Sequence, residues 1–134
     1  LKKFLLYRTY HGCAMAPPVQ TASVAAWNDE AHVLDNRNQY REKFAACTPL
    51  ISEVLGTGTP DASFYLWAKT PVADTEFARG LLEHYNVVVL PGSFLARESQ
   101  GVNPGTNFIR IALVASLAEC LEATQRIRQF AQQL

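Results

Sequence analysis

Val87-Val88-Val89-Leu90-Pro91-Gly92-Ser93-Phe94 and, after a glycine-bearing stretch, Phe108-Ile109-Arg110-Ile111-Ala112-Leu113 are the two segments whose reading decides the fold. The first opens on an apolar, β-branched run that reads as a buried strand, Val87 to Leu90. The second alternates: Ile109, Ile111 and Leu113 share one face while Phe108, Arg110 and Ala112 share the other, the period-two pattern of a strand. Between them, Pro91 to Asn107 carries three glycines and two prolines without periodicity. A connection that long inside a compact domain is usually functional or mobile.

Working outward, Phe64-Tyr65-Leu66-Trp67-Ala68 lies between Pro60 and Pro71 and reads as a further strand bounded by turns. Asp74 is placed to cap a helix whose apolar face is Phe77, Ala78, Leu81, Leu82 and Tyr85, and Asn86 to end it in a left-handed conformation. Downstream, Ser116 and Glu119 form a capping box for a terminal helix with Leu117, Leu121, Ile127, Phe130 and Leu134 facing inward. Upstream, Tyr40, Phe44, Cys47, Ile51 and Val54 recur at helical steps along a long segment that begins near Asp29 and closes at Gly56 and Gly58. Pro49 falls inside it and cannot donate its N–H, so a bend is expected, at a local cost of about 3 kcal/mol relative to alanine. Pro17-Pro18 opens a helix running through Trp27, and the residues before Gly12 form an amphipathic start, Leu1, Phe4, Leu5 and Tyr7. The chain opens there without a methionine or a capping residue and is expected to be cut from something longer. The predicted class is α/β, with two layers: a long kinked helix, and a small, mostly antiparallel sheet covered by helices. A compact α/β core is expected over 59–134, with helices over 1–58.

Composition narrows the function. Twelve basic residues balance twelve acidic ones across 134 positions, so no net field attracts a polyanion. Nucleic acid is not expected as a partner. No apolar run approaches the ~18 residues needed to cross a bilayer, so the chain reads as soluble, with no membrane partner. Cys13, Cys47 and Cys120 are an odd number without ligand spacing, which argues against a disulfide framework or a zinc site and fits a reducing, cytoplasmic setting. Cys47 and Cys120 are expected to be buried; His11, His32 and His84 read as surface or helix-end histidines rather than a metal site.

Arg110 is the residue in this pattern that asks for chemistry. It sits centrally in an apolar strand just after the glycine-bearing loop, and an unpaired buried guanidinium loses several kcal/mol of hydration. Its planar fork grips a carboxylate through two parallel hydrogen bonds. The alternatives are an arginine on the solvent face of the sheet, or one paired in space with Glu98 or Glu119.

The two segments together, Val89-Leu90-Pro91-Gly92-Ser93-Phe94 and Phe108 to Leu113, resemble the closing motif of the fold-type I, class I/II aminotransferases, a dimeric family that depends on pyridoxal 5'-phosphate (PLP). The resemblance runs over the whole chain. The stretches Tyr7-Arg8-Thr9-Tyr10-His11-Gly12-Cys13-Ala14-Met15, with Gln20 and Trp27, and Ala96-Arg97-Glu98-Ser99-Gln100-Gly101-Val102-Asn103-Pro104-Gly105, look closest to the bacterial succinyldiaminopimelate aminotransferases. The resemblance implies a carboxy-terminal small domain, with the end of the large domain and the interdomain helix at 1–58. It implies that Arg110 binds the α-carboxylate of an amino-acid or keto-acid substrate, that Phe94 and Arg97 line the pocket with Arg97 facing a distal carboxylate, and that the loop from His11 to Ala14 approaches the active site of a homodimer. The family's cofactor lysine, its Ser-x-x-Lys context and its phosphate-binding arginine have no match here. Lys2, Lys3, Lys43 and Lys69 lack that context, so no catalytic or cofactor-binding residue is assigned and the chain alone is expected not to transaminate. The implied reaction of the full-length enzyme moves an amino group between glutamate and a keto acid, N-succinyl-2-amino-6-oxopimelate if the narrower resemblance holds. Two other readings stay open: an aminotransferase for aspartate, alanine or an aromatic amino acid, and a non-enzymatic module that recognises a carboxylate.

Overall fold

A computed structural model describes residues 1–12 and 14–134, so Cys13 lies outside the described residues. The chain divides into two compact units, Leu1–Asn36 and Arg37–Leu134. The first holds α1 (Lys2–Tyr10), α2 (Pro17–Trp27) and the opening turns of α3 (Glu30–Ser52). Both prolines stand in the first turn of α2, where their missing N–H groups cost nothing. Neither α1 nor α2 contains a buried residue.

The second unit is a sheet packed on helices. It contains the rest of α3, with Pro49 inside it, then β1 (Tyr65–Lys69), α4 (Asp74–Tyr85), β2 (Leu90–Pro91), α5 (Gly92–Leu95), β3 (Phe108–Ala112) and α6 (Leu117–Ala131). The strand order is β1-β3-β2 and both pairings are antiparallel. β3 is therefore central, and the alternation read from its sequence decides what each face shows. Leu66, Ala68, Ile109, Ile111 and Leu113 point into a core closed by Cys47, Ile51 and Leu55, by Phe77 and Leu81 of α4, and by Cys120, Ile127 and Phe130 of α6. Residues 47–55 thus supply core to the sheet unit. Cys47 and Cys120 are free and buried as expected, and burial pushes the Cys120 thiol above its ordinary pKa.

Three local expectations need correction. The strand over Val87 to Leu90 reduces to Leu90–Pro91, the two residues that reach β3 opposite Arg110 and Ile109. Val88 is 79% exposed, because the left-handed Asn86 (φ 52°) ends α4 and redirects the chain so that only its tail joins the sheet. Leu134 is also exposed rather than inward, since α6 stops at Ala131. Asp74 does not cap α4: Ala73 is the cap residue and makes no side-chain bond, while the Asp74 carboxylate is committed elsewhere.

The capping box on α6 is present. Ser116 Oγ accepts from the Glu119 N–H, and the Glu119 carboxylate accepts from the Ser116 N–H at 3.0 Å. The Ser116 hydroxyl, which also donates to the Glu119 carboxylate at 2.6 Å, and then the Ser116 N–H hold that carboxyl below its usual pKa. Ser116→Ala should fray the first turn of α6, read as faster amide hydrogen exchange over residues 117–120 with the sheet amides unaffected.

Candidate functional site: an unpaired arginine on an aromatic sheet face

The face of the sheet turned away from the core collects the alternate residues. The antiparallel register sets Trp67 opposite Arg110, Tyr65 opposite Ala112 and Lys69 opposite Phe108, with Leu90 on the other side of Arg110. Residues directly and diagonally opposite on one face interact. The Trp67 and Phe108 rings stack with centroids 5.7 Å apart and planes 12° from parallel, and the Arg110 guanidinium carbon lies 5.6 Å from the centroid of the Tyr65 ring. At that range a ring face attracts a cation and restricts where its fork points.

Arg110 is only half-buried, yet its Nε is sealed from solvent without a hydrogen-bond partner. No carboxylate among the described residues forms an ion pair with it. Glu119 is taken up by its capping box, and Glu98 is exposed. Arg110 thus lies on the sheet face turned away from the core, half-buried, and forms no ion pair with Glu98 or Glu119. A cation seated on an aromatic ring with unused donors is prepared for a planar anion.

The connection from Pro91 to Asn107 is not a structureless loop. It begins with α5 and contains a tight turn in which Ser99 and Val102 exchange hydrogen bonds of 2.9 and 3.0 Å across Gln100 (φ 53°) and Gly101 (φ 77°). Its two ends meet. A Cβ added to Gly105 would run into the Gly92 carbonyl, and one added to Gly92 would run into the Gly105 oxygen and come within 2.9 Å of the Trp67 ring. Only hydrogen fits at either position. Gly105→Ala should therefore force the two backbones apart, at an overpacking cost of about 1–3 kcal/mol, detectable as lost exchange protection of the Phe108 and Ala96 amides, which bond to Gly105 and Gly92 respectively.

Asp74 also ties these ends together. Its Oδ2 accepts from the Ser93 N–H (2.9 Å) and from Ser93 Oγ (2.5 Å), and its Oδ1 accepts from the Asn107 N–H (3.2 Å). Asn103 adds a second tie, its Nδ2 donating to the Ser93 carbonyl (3.0 Å) and its Oδ1 accepting from the Gly105 N–H (2.9 Å). Burial by itself would raise the Asp74 pKa, but the bonds from Ser93 and Asn107 outweigh it and hold the carboxyl below its usual range. A lowered folded-state pKa means that the stabilisation is complete above the ordinary carboxyl range and is lost as pH falls through the lowered value.

Phe94 lies in α5 with its side chain 72% exposed, and Arg97 follows α5, exposed and without an ion-pair partner among the described residues. The loop origin reaches the arginine face through Gly92 against Trp67 and Phe108. Phe94 and Arg97 make no hydrogen bond or ion pair with Arg110's strand among the described residues. Tyr65, Trp67, Asp74 and Asn103 were not among the sequence candidates. Of the lysines, Lys2, Lys3 and Lys69 are exposed, and Lys43 is buried with its Nζ 5.0 Å from the centroid of the Tyr40 ring. Among the described residues no helix is long and apolar enough to cross a membrane.

A helix-backed antiparallel sheet that carries an arginine without an ion-pair partner among the described residues, beside a clasped, glycine-bearing loop, defines a small α/β domain. The chain belongs to the aminotransferase class I and II family, whose model matches residues 6–127. That family's enzymes are PLP-dependent. An aminotransferase crystal structure from Neisseria meningitidis is 53% identical with a TM-score of 0.83, over 96% of this chain and 33% of its own. A probable N-succinyldiaminopimelate aminotransferase from Thermus thermophilus is 36% identical with a TM-score of 0.64, over 77% of this chain and 27% of its own. LL-diaminopimelate aminotransferase of Maridesulfovibrio salexigens is 32% identical over 81% of this chain and 28% of its own length. The chain therefore spans about a third or less of the length of these three proteins.

Proposed function

We propose that this chain is the carboxy-terminal part of a PLP-dependent aminotransferase that moves an amino group between glutamate and a keto acid, N-succinyl-2-amino-6-oxopimelate, in the route to diaminopimelate and lysine. The observation that carries the reading is Arg110: half-buried on the central strand, held over Tyr65, its Nε unbonded, and paired with no carboxylate among the described residues. In this reading Arg110 grips the α-carboxylate that every amino-acid substrate carries, and so fixes the reacting carbon relative to the cofactor. Arg97, exposed on the loop, meets the distal carboxylate of the longer substrate, and Phe94 lines the path between them. Bound PLP supplies storage of the amino group between the two half-reactions, held by a lysine outside this chain.

The full-length protein is a cytoplasmic homodimer, with residues 1–58 forming the end of the large domain and the interdomain helix. The choice of the succinylated keto acid is supported by the name of one protein that this chain resembles, a probable N-succinyldiaminopimelate aminotransferase, and the diaminopimelate route by that of a second, an LL-diaminopimelate aminotransferase. The test is an assay of the full-length enzyme with glutamate and a panel of keto acids. The highest kcat/KM is expected with N-succinyl-2-amino-6-oxopimelate. Equal or faster turnover with oxaloacetate, pyruvate or an aromatic keto acid would reassign the substrate.

A further inference from the structure

We infer that Asp74 is a positioning residue for the substrate pocket: its buried carboxylate clasps the two ends of the 92–107 loop and so sets the loop that carries Phe94 and Arg97 against the strand that carries Arg110. The inference rests on the reading of Arg110, Phe94 and Arg97 as substrate contacts. Asp74 is 3% exposed although it stands at the start of a helix, where a carboxylate is usually solvated. Its three acceptor bonds reach residues 19 and 33 positions away, to the start and to the end of the loop. They do not cap its own helix. Ser93 immediately precedes Phe94, and Asn107 stands three residues before Arg110 in the left-handed conformation (φ 62°) that asparagine readily adopts.

The glycine contact and the pairing of Pro91 with Ile109 bring the loop ends together. The Asp74 bonds, two to Ser93 and one to Asn107, tie the same ends through side-chain hydrogen bonds, and Asn103 closes the loop from within. The segment from Phe94 to Val102 leaves the clasp with exposed side chains: Phe94 at 72%, Val102 at 64% and Leu95 at 46%. A displacement of about 1 Å at a substrate contact costs on the order of 100-fold in turnover efficiency. A carboxylate that never touches substrate can therefore govern it.

The experiment uses the cofactor-loaded full-length enzyme in four forms: parent, Asp74→Asn, Asp74→Ala and Arg110→Ala. Asp74→Asn keeps the shape and one acceptor, so it should raise KM for the amino-acid substrate about tenfold while kcat stays within about threefold; Asp74→Ala should go further, by ~100-fold in kcat/KM. Amide exchange over residues 93–107 should quicken in both Asp74 variants and remain at parental rates in Arg110→Ala. A purely structural role predicts the other pattern: less folded protein, but parental KM and parental loop protection in the folded fraction. That pattern, with Arg110→Ala losing substrate affinity, would overturn the clasp and leave the pocket standing. Parental substrate affinity in Arg110→Ala would instead remove the pocket itself, whatever the Asp74 variants do.

Discussion

Arg110→Ala in the full-length enzyme is expected to lower kcat/KM for every amino-acid and keto-acid substrate by roughly 10- to 200-fold, since a charge-assisted hydrogen bond contributes about 1.5–3 kcal/mol and a bidentate pair more. The loss should be uniform across substrates, because the α-carboxylate is the group they share. Arg110→Lys should not restore it: an ammonium keeps the charge but presents no planar fork and sits differently on the Tyr65 ring. Cofactor content should be unchanged, since nothing in this chain's lysines points to a cofactor contact near Arg110. Steady-state kinetics over three or more substrates reads the result directly. A loss confined to one substrate would move Arg110 from shared recognition to side-chain selection.

The second large effect is on stability. Phe77 is fully buried at the centre of the core, its ring edge-on to Phe130 with centroids 5.0 Å apart and an interplanar angle of 67°. Phe130 is also in contact with Tyr85 at 5.7 Å and lies against Gly80, where an added Cβ would come within 2.8 Å of its ring. Phe77→Ala removes the hub between α4 and α6 and leaves a cavity that these close neighbours cannot readily fill, so a loss of about 3–5 kcal/mol is expected. Because α4 begins with Asp74, the same substitution should loosen the 93–107 loop. Hydrogen exchange that accelerates across β3, α6 and this loop together would match the expectation; a change confined to α4 would show that the helices pack independently.

The sequence made most of this unit legible where the signal was local. The alternation in Phe108 to Leu113, the Ser116–Glu119 box and the left-handed Asn86 each follow from a few adjacent residues, and all stand in the structure. Arg110 stands out the same way, as a charge in an apolar strand, but its reading as a carboxylate contact comes from the family resemblance and not from that pattern. Tyr65 and Trp67 were seen only as strand aromatics, because assigning them to the arginine face needs the register of β1 against β3, and that register is a tertiary fact. Asp74 was misread for a related reason. An aspartate before a helical pattern is a cap by local rule, and the partners that outbid the cap lie 19 and 33 residues away. Pro91 to Asn107 shows no periodicity in the sequence because contacts such as Gly92 against Gly105 leave no periodic trace.

The central claim is that Arg110 waits for a carboxylate. The most direct measurement is a titration of the cofactor-loaded full-length protein with an unreactive dicarboxylate, followed by the absorbance of the bound cofactor, in parent and Arg110→Ala. Binding by the parent and an affinity at least about tenfold weaker in the variant, at equal cofactor content, is the predicted result. Identical affinities in the two proteins would contradict it and place the substrate carboxylate elsewhere.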